Sequence, residues 1–84
     1  MRREEFDAAV ATHGRRVFTL AVYLLANRQE AEDVTQEAFT RAYRSLASCR
    51  DPARVGAWLV SIARNCARET LRANARMRPL EDLE

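Results

Sequence analysis

Only four of the 84 residues are glycine or proline, and this shortage of chain-breaking residues restricts the folds open to the chain. Gly14, Pro52, Gly56 and Pro79 leave long stretches rich in alanine, leucine, arginine and glutamate, which are strong helix formers. A chain this short buries only about two-thirds of the surface that its unfolded form exposes, so its core must be small. The sequence therefore predicts one all-α domain, a compact bundle of about four helices.

The predicted first helix covers residues 3–13, where apolar residues recur at helical spacing, and it ends at a kink or break near Gly14. Residues 17–25 are so densely apolar that they predict a second helix, the most buried of the bundle. A third helix is predicted to begin at Asn27, because Asn27 and Glu30 have the spacing of a capping box. Its apolar residues repeat at steps of three and four, which leaves a separate polar face.

A fourth helix is predicted after a short polar loop. Asp51 followed by Pro52 is a strong start signal, because aspartate caps free amides and proline has the backbone angle of a first helical turn. The predicted apolar side consists of Val55, Trp58, Leu59, Ile62, Ala63, Cys66, Thr70 and Leu71. Pro79 is predicted to end the helix, so the domain is assigned to residues 1–78 and the start of a linker or tail to residues 79–84.

The basic residues are concentrated in the second half of the chain. Residues 1–49 hold seven arginines and seven acids, whereas residues 50–78 hold seven arginines and two acids. Four arginines of the fourth helix recur every fourth residue and form one stripe: Arg64, Arg68, Arg72 and Arg76. Like charges at this spacing repel by about 0.2–0.5 kcal/mol per pair, and a merely solvated face normally mixes signs. The stripe therefore predicts a phosphate-binding surface.

The sequence contains no recognisable catalytic or metal site. Its one histidine, His13, is far along the chain from Cys49 and Cys66, and the two cysteines form no CxxC motif. Reduced thiols are expected, with Cys66 and Trp58 packed in the core, and no enzyme activity, metal or cofactor is predicted. No apolar run is long enough to cross a bilayer, so a cytoplasmic protein without membrane insertion is expected.

Two segments resemble the region 2 domain of extracytoplasmic-function (ECF) sigma factors, the proteins that direct bacterial RNA polymerase to promoters. Residues 31–43, AEDVTQEAFTRAY, are similar to the segment with which that family grips the clamp helices of the polymerase beta-prime subunit. Residues 57–65, AWLVSIARN, resemble the DNA-reading helix of the family. The two motifs stand in the order of the family, and the resemblance covers residues 6–76.

The resemblance implies a domain that performs no covalent chemistry and captures one DNA strand as the promoter opens. A base from the non-template strand of the minus-ten element would leave the stack and enter a pocket formed by the loop before the fourth helix. By position, that pocket would be lined or flanked by Ser48, Cys49, Arg50, Asp51 and Arg54. Asn65 would bind the base edge through its amide. Phosphates would be held by Arg64, Arg68 and Arg72, and the charge of the stripe adds Arg76 to the predicted DNA-binding residues.

The polymerase contacts of the family map to the polar face of the third helix, at Asp33, Gln36, Glu37, Arg41 and Arg44. The implied partners are the RNA polymerase core through its beta-prime subunit, the non-template strand of the promoter minus-ten element, and an anti-sigma protein. The family often has an aromatic residue where this chain has Cys49, and a basic residue where it has Ser61. Both differences bear on which base is preferred.

Two further functions fit the same residues. A helix-turn-helix domain that reads duplex DNA in the major groove would also present an arginine stripe on its last helix, and the loop before Asp51 can supply its turn. An interaction module without nucleic acid would use the stripe to bind an acidic regulator, such as an anti-sigma protein. The affinities for single-stranded and duplex minus-ten DNA distinguish the helix-turn-helix domain from strand capture. The helix-turn-helix domain would prefer the duplex, and strand capture would prefer the single strand.

Overall fold

Helices account for almost all of residues 1–77, which are the residues described by the computed structural model. The bundle consists of three α-helices: α1 (Arg3–Leu25), α2 (Arg28–Arg44) and α3 (Val55–Met77). Two short 3₁₀ turns, Leu46–Ser48 and Pro52–Arg54, lie between α2 and α3. The prediction of an all-α bundle is confirmed, whereas the predicted number of about four helices is too high by one. The predicted helix end at Pro79 and the predicted tail at residues 79–84 lie outside the described residues.

The sequence predicts one helix too many because a break was expected near Gly14, and the structure has no break there. Helix α1 continues through this residue, which has no positive φ angle. A lone glycine costs a helix about 1 kcal/mol relative to alanine, whereas full burial of one valine contributes about 1.5–3 kcal/mol. Ala9 before the glycine and Val17 after it both lie on the buried side of α1. Packing on both sides of Gly14 therefore outweighs its low helix propensity.

Replacing Gly14 with alanine is expected to stabilise the domain by about 0.5–1 kcal/mol, because the unfolded chain loses freedom and the helix gains propensity. A Cβ atom at this position would lie 3.8 Å from Phe39 Cζ, which is an ordinary contact. Urea unfolding measures the change. Gly56→Ala is the matched comparison: its Cβ atom would lie 2.8 Å from His13 Cε1, so the imidazole must shift, and the gain in stability should be smaller than for Gly14→Ala. Destabilisation by Gly14→Ala would contradict a continuous α1.

Side-chain caps define where α2 and α3 begin. Asn27 Oδ1 accepts a hydrogen bond from the Glu30 amide at 2.9 Å, as predicted. The Glu30 carboxylate does not complete the capping box, because its Oε2 accepts from Asn74 Nδ2 of α3 at 2.7 Å. Asp51 Oδ1 accepts from the Ala53 amide at 3.0 Å, at the start of the 3₁₀ turn that leads into α3. Both predicted start signals are thus used, and Glu30 additionally ties α2 to α3.

The core lies where the three helices meet. Leu59 and Val17 are the largest fully buried side chains. Seven further buried positions are alanines, namely Ala9, Ala21, Ala31, Ala38, Ala42, Ala63 and Ala67. Because interhelical distance depends on the side chains at the contact, these small residues let the helices pack closely. Cys66 is buried as predicted, and burial raises the pKa of its thiol.

Leu71 is the one member of the predicted apolar side of α3 that is largely solvent-exposed. Its exposed fraction is 41%, which corrects the prediction. Successive helical residues are about 100° apart, and half-buried Thr70 points toward the core, so Leu71 lies well round the helix from it. The apolar residues of α3 in the sequence therefore predict a wider buried face than the helix has in the structure.

Candidate nucleic-acid interface

The loop between α2 and α3 and the first turns of α3 form a surface pocket, the loop pocket. Its lining residues are Ser48, Cys49, Arg50, Asp51, Arg54, Ala57, Trp58 and Ser61. All five residues predicted to lie at the loop are therefore brought together, and three residues of α3 complete the wall. Cys49 is buried at the base of the loop, whereas the other four are exposed. The pocket thus combines charged and hydroxyl groups at its rim with an indole wall.

Hydrogen bonds from the start of α3 fix the shape of the loop. Trp58 Nε1 donates to Ser48 Oγ at 3.2 Å, and the Ser48 hydroxyl donates to the Ser45 carbonyl at 2.7 Å. The Cys49 thiol approaches the Asp51 carbonyl at 3.6 Å. Trp58 is partly buried against the core, as predicted, but it also holds the loop in place. The sequence did not indicate this second role, because the bond joins residues ten positions apart.

The predicted arginine stripe lies on the exposed side of α3. Arg64, Arg68, Arg72 and Arg76 are all exposed, and within residues 1–77 none of them lies in an ion pair. Each step of four residues turns about 40° round a helix, so Arg64 and Arg72 are about 80° apart and face the same side. Glu69, the one acid in α3, points instead toward α2. No ion pair of the described residues engages the stripe, so its guanidinium groups are available to an anion.

Asn65 is exposed on α3, one turn beyond Ser61 at the wall of the loop pocket. Four residues of helix correspond to about 6 Å along the axis and a turn of about 40°. Asn65 is not among the residues that line the pocket, and its binding of a base stays a prediction. The predicted DNA-binding residues consequently form one connected surface, from the loop, across Ser61 and Asn65, to the stripe.

The residues predicted to contact polymerase share the polar side of α2. The set is Asp33, Gln36, Glu37, Arg41 and Arg44, and all but half-buried Arg41 are exposed. Their positions span about 140° of the helix circumference. Three of them also line a groove between α2 and α3, together with Glu30 and Glu69. The predicted residues therefore lie on one surface, whose α3 edge is acidic.

Arg41 is engaged within the domain. Its two terminal nitrogens donate to the Glu69 carboxylate of α3 at 2.8 and 2.9 Å, and its Nε donates to Glu37 Oε1 at 3.1 Å. These contacts raise the pKa of Arg41 above its ordinary value and lower the pKa of Glu69. The bidentate pair connects residues 28 positions apart in the chain, which no local pattern could reveal. Arg41 thus links α2 to α3, and its contact with polymerase stays a prediction.

Substituting Glu69 with glutamine is expected to destabilise the domain in a pH-dependent way. The lowered pKa of the carboxyl means that the folded state favours its charged form, because Arg41 donates to it. The stabilisation is complete above the ordinary carboxyl pKa of about 4.3 and is lost as the pH falls through the lowered folded-state value. The melting temperatures of the wild type and the variant, measured from pH 7 to pH 3, should converge as the pH falls. Glu4→Gln is the control, because Glu4 lies in no ion pair of the described residues, and its melting temperature should not converge with that of the wild type in this way. A constant difference in melting temperature between wild type and Glu69→Gln at every pH would show that the Arg41–Glu69 ion pair does not stabilise the fold.

Within residues 1–77, no helix is long and apolar enough to cross a membrane, and no cluster of three or more His, Cys, Asp or Glu residues could hold a metal ion. The loop pocket with the stripe beside it gathers the residues predicted to bind DNA. Its chemistry is that of a binding surface: guanidinium groups for phosphate, an amide for a base edge, and an indole wall.

Residues 9–77 match the family model described as sigma-70 region 2. The RNA polymerase sigma-H factor of Pseudomonas aeruginosa is 37% identical over 81 residues, which cover 96% of this chain and 42% of that protein. The ECF RNA polymerase sigma factor SigE of Mycolicibacterium smegmatis is 37% identical over 73 residues, which cover 87% of this chain and 28% of that protein.

The ECF RNA polymerase sigma-E factor of Haemophilus influenzae is 35% identical over 81 residues, which cover 96% of this chain and 42% of that protein. The chain thus spans less than half the length of these curated relatives. No solved structure gives a significant match. The family match covers both the polar face of α2 and the whole of α3. The chain therefore belongs to the sigma-70 region 2 family, as a region 2 domain of the ECF type.

Proposed function

We propose that the domain serves transcription initiation by docking on the clamp helices of the RNA polymerase beta-prime subunit and holding the melted non-template strand of the minus-ten element. The proposal rests on one observation: the loop pocket adjoins the exposed arginines of α3. Ser61 lines the pocket, and Arg64 and Arg68 follow on the exposed side of the same helix. The relatives named as RNA polymerase sigma factors support the same role.

Strand capture needs a receptor for one base and an anchor for the adjoining phosphates. Unstacking a base costs a few kcal/mol, which binding must offset. The loop pocket offers the guanidinium groups of Arg50 and Arg54 and the indole of Trp58 to a base, while Asn65 lies one turn from its wall. Guanidinium groups bind phosphate through charge-assisted hydrogen bonds, and the stripe supplies them beside the pocket. Melting is then driven by binding the open strand in preference to the duplex.

The polar side of α2 supports docking on polymerase separately from DNA binding. Asp33, Gln36 and Arg44 are exposed on it, and none of the three lies in an ion pair of the described residues. The stripe belongs to α3, so the two partners use different helices. Arg41 contributes by holding α2 against α3 through Glu69. An anti-sigma protein that covers the stripe would compete with DNA.

The connection between α2 and α3 disfavours a helix-turn-helix domain. Ten residues separate the end of α2 at Arg44 from the start of α3 at Val55. The turn of a helix-turn-helix motif usually has three or four residues. In this chain the longer connection forms the loop pocket, which a duplex-reading domain does not require.

The affinity of the chain for single-stranded and duplex minus-ten sequences, measured at several salt concentrations with polymerase core present, tests the proposal. We expect the non-template strand to bind more tightly than the duplex. Each phosphate contact contributes about 0.7 to the salt dependence of single-strand binding, so contacts from Arg64, Arg68 and Arg72 give a log–log slope of about −2. A clear preference for duplex would exclude strand capture and favour major-groove binding.

A further inference from the structure

Glu69, the one acid of α3, lies close to the arginine stripe on the surface of that helix. Three helical residues correspond to about 4.5 Å along the axis and about 60° round it, so Glu69 and Arg72 are surface neighbours. Opposite charges at this spacing normally attract each other. In the structure, however, Arg72 lies in no ion pair of the described residues. The Glu69 carboxylate therefore has another partner.

That partner is Arg41 of α2. Its two terminal nitrogens donate to the two Glu69 carboxylate oxygens at 2.8 and 2.9 Å, which directs the carboxylate toward α2. A third hydrogen bond, from Arg41 Nε to Glu37 Oε1 at 3.1 Å, fixes the guanidinium group on its own helix. We propose that Arg41 is a positioning residue for DNA binding, which holds Glu69 away from Arg72 and so leaves Arg72 free to bind phosphate. This inference rests on the strand capture proposed above.

The geometry favours Arg41 over Arg72 as the partner of Glu69. A guanidinium group that meets both carboxylate oxygens forms two parallel, charge-assisted hydrogen bonds, which are stronger than a single contact. Arg41 is also held by Glu37, so it loses less side-chain freedom when it pairs. The hydrogen bond from Arg41 is the main cause of the lowered pKa of Glu69, and the charge of Arg72 lowers it further. Arg72 is therefore near enough to attract Glu69 when Arg41 is removed.

A released Glu69 would weaken DNA binding in two ways. Its carboxylate would neutralise Arg72, and its negative charge would repel the phosphate that Arg72 is proposed to hold. Arg64 is five residues from Glu69 and about 140° round the helix from it, so the phosphate contact of Arg64 should remain. Removing Arg41 should therefore weaken strand binding without abolishing it.

The affinity for the minus-ten non-template strand, measured at several salt concentrations with the chain bound to saturating polymerase core, tests the inference. Arg41→Gln should bind the strand about tenfold more weakly and reduce the salt slope by about 0.7, because one phosphate contact is lost. Adding Glu69→Gln to this variant should restore both values, since an amide cannot neutralise Arg72, although the domain stays less stable than wild type.

Arg28→Gln is the control for charge. Arg28 also lies on α2, but its ion-pair partner is Glu32 of the same helix, so this substitution releases no acid toward the stripe. Arg28→Gln should leave the strand affinity and the salt slope unchanged. An equal loss of affinity in Arg28→Gln and Arg41→Gln would mean that net charge causes the effect, and would overturn the inference.

A merely structural role for Arg41 gives a different pattern. Glu69→Gln also breaks the ion pair, so lost stability would weaken strand binding in both single variants and the double variant would not recover, which would overturn the inference. If wild type binds the strand and Arg41→Gln binds it equally well, the inference is wrong while strand capture stands. Weaker binding of polymerase core by Arg41→Gln, with unchanged strand affinity at saturation, would assign Arg41 to polymerase alone. If wild type does not bind the strand, strand capture fails and the inference fails with it.

Discussion

Reversing the charge of the stripe, with Arg64, Arg68 and Arg72 all replaced by glutamate, is expected to abolish capture of the minus-ten strand while polymerase docking stays intact. The three side chains are exposed and lie in no ion pair of the described residues, so their replacement should not disturb the fold. Hydrogen bonds to charged groups contribute about 1.5–3 kcal/mol each, and repulsion adds to the loss. We expect single-strand affinity to fall about a thousandfold or more, measured by fluorescence anisotropy.

Charge-matched pairs separate a local effect from a general one. Arg68→Glu/Arg72→Glu and Arg2→Glu/Arg3→Glu each lower the net charge by four units, but only the first pair lies on the stripe. The first pair should bind the strand much more weakly than the second, and both should bind polymerase core as wild type does. Equal losses in the two pairs would mean that net charge alone governs DNA binding. Unchanged strand binding in the triple variant would refute the assignment of DNA to the stripe.

Truncating Leu59 to alanine is expected to destabilise the domain by about 2–5 kcal/mol, the largest stability change among the substitutions considered. The side chain is 1% exposed and belongs to the core shared by the three helices. A folded chain of this length has a total stability of about 4–13 kcal/mol, so the loss is a large fraction of it. Urea unfolding measures the change, and strand binding should fail at temperatures where the variant unfolds.

Leu71→Ala is the matched control, since it removes the same atoms from the same helix. Leu71 is 41% exposed and should cost no more than about 0.5–1 kcal/mol. Similar losses for the two variants would mean that α3 does not bury the face that contains Leu59. A large loss of stability for Leu71→Ala alone would mean that α3 buries the side that contains Leu71 and exposes the side that contains Leu59.

Local signals predicted two start positions and the exposed charges of α3 well. Asn27 and Asp51 both cap where their sequence patterns indicate, because capping involves residues only two or three positions apart. The stripe could be predicted because four arginines at helical spacing must share one side of any helix. The loop residues were placed by family resemblance, and the structure gathers them round one pocket.

Long-range packing explains what the sequence could not predict. The break expected at Gly14 does not occur, because the residues on both sides of it pack against α2 and α3. The Arg41–Glu69 ion pair joins α2 to α3, and so does the hydrogen bond from Asn74 to Glu30. The hydrogen bond from Trp58 to Ser48 joins α3 to the loop. Each of these depends on which helix faces are brought together, which local spacing does not specify.

Base unstacking within the minus-ten element tests the proposed function most directly. A promoter fragment that carries 2-aminopurine in the non-template strand is mixed with polymerase core and the chain, and fluorescence reports whether the labelled base leaves the stack. We expect fluorescence to rise only when core and wild-type chain are both present, and to stay at the duplex level with the Arg64→Glu/Arg68→Glu/Arg72→Glu variant. Promoter binding without any rise, or an equal rise with that variant, would contradict capture of the strand by the loop pocket and the stripe.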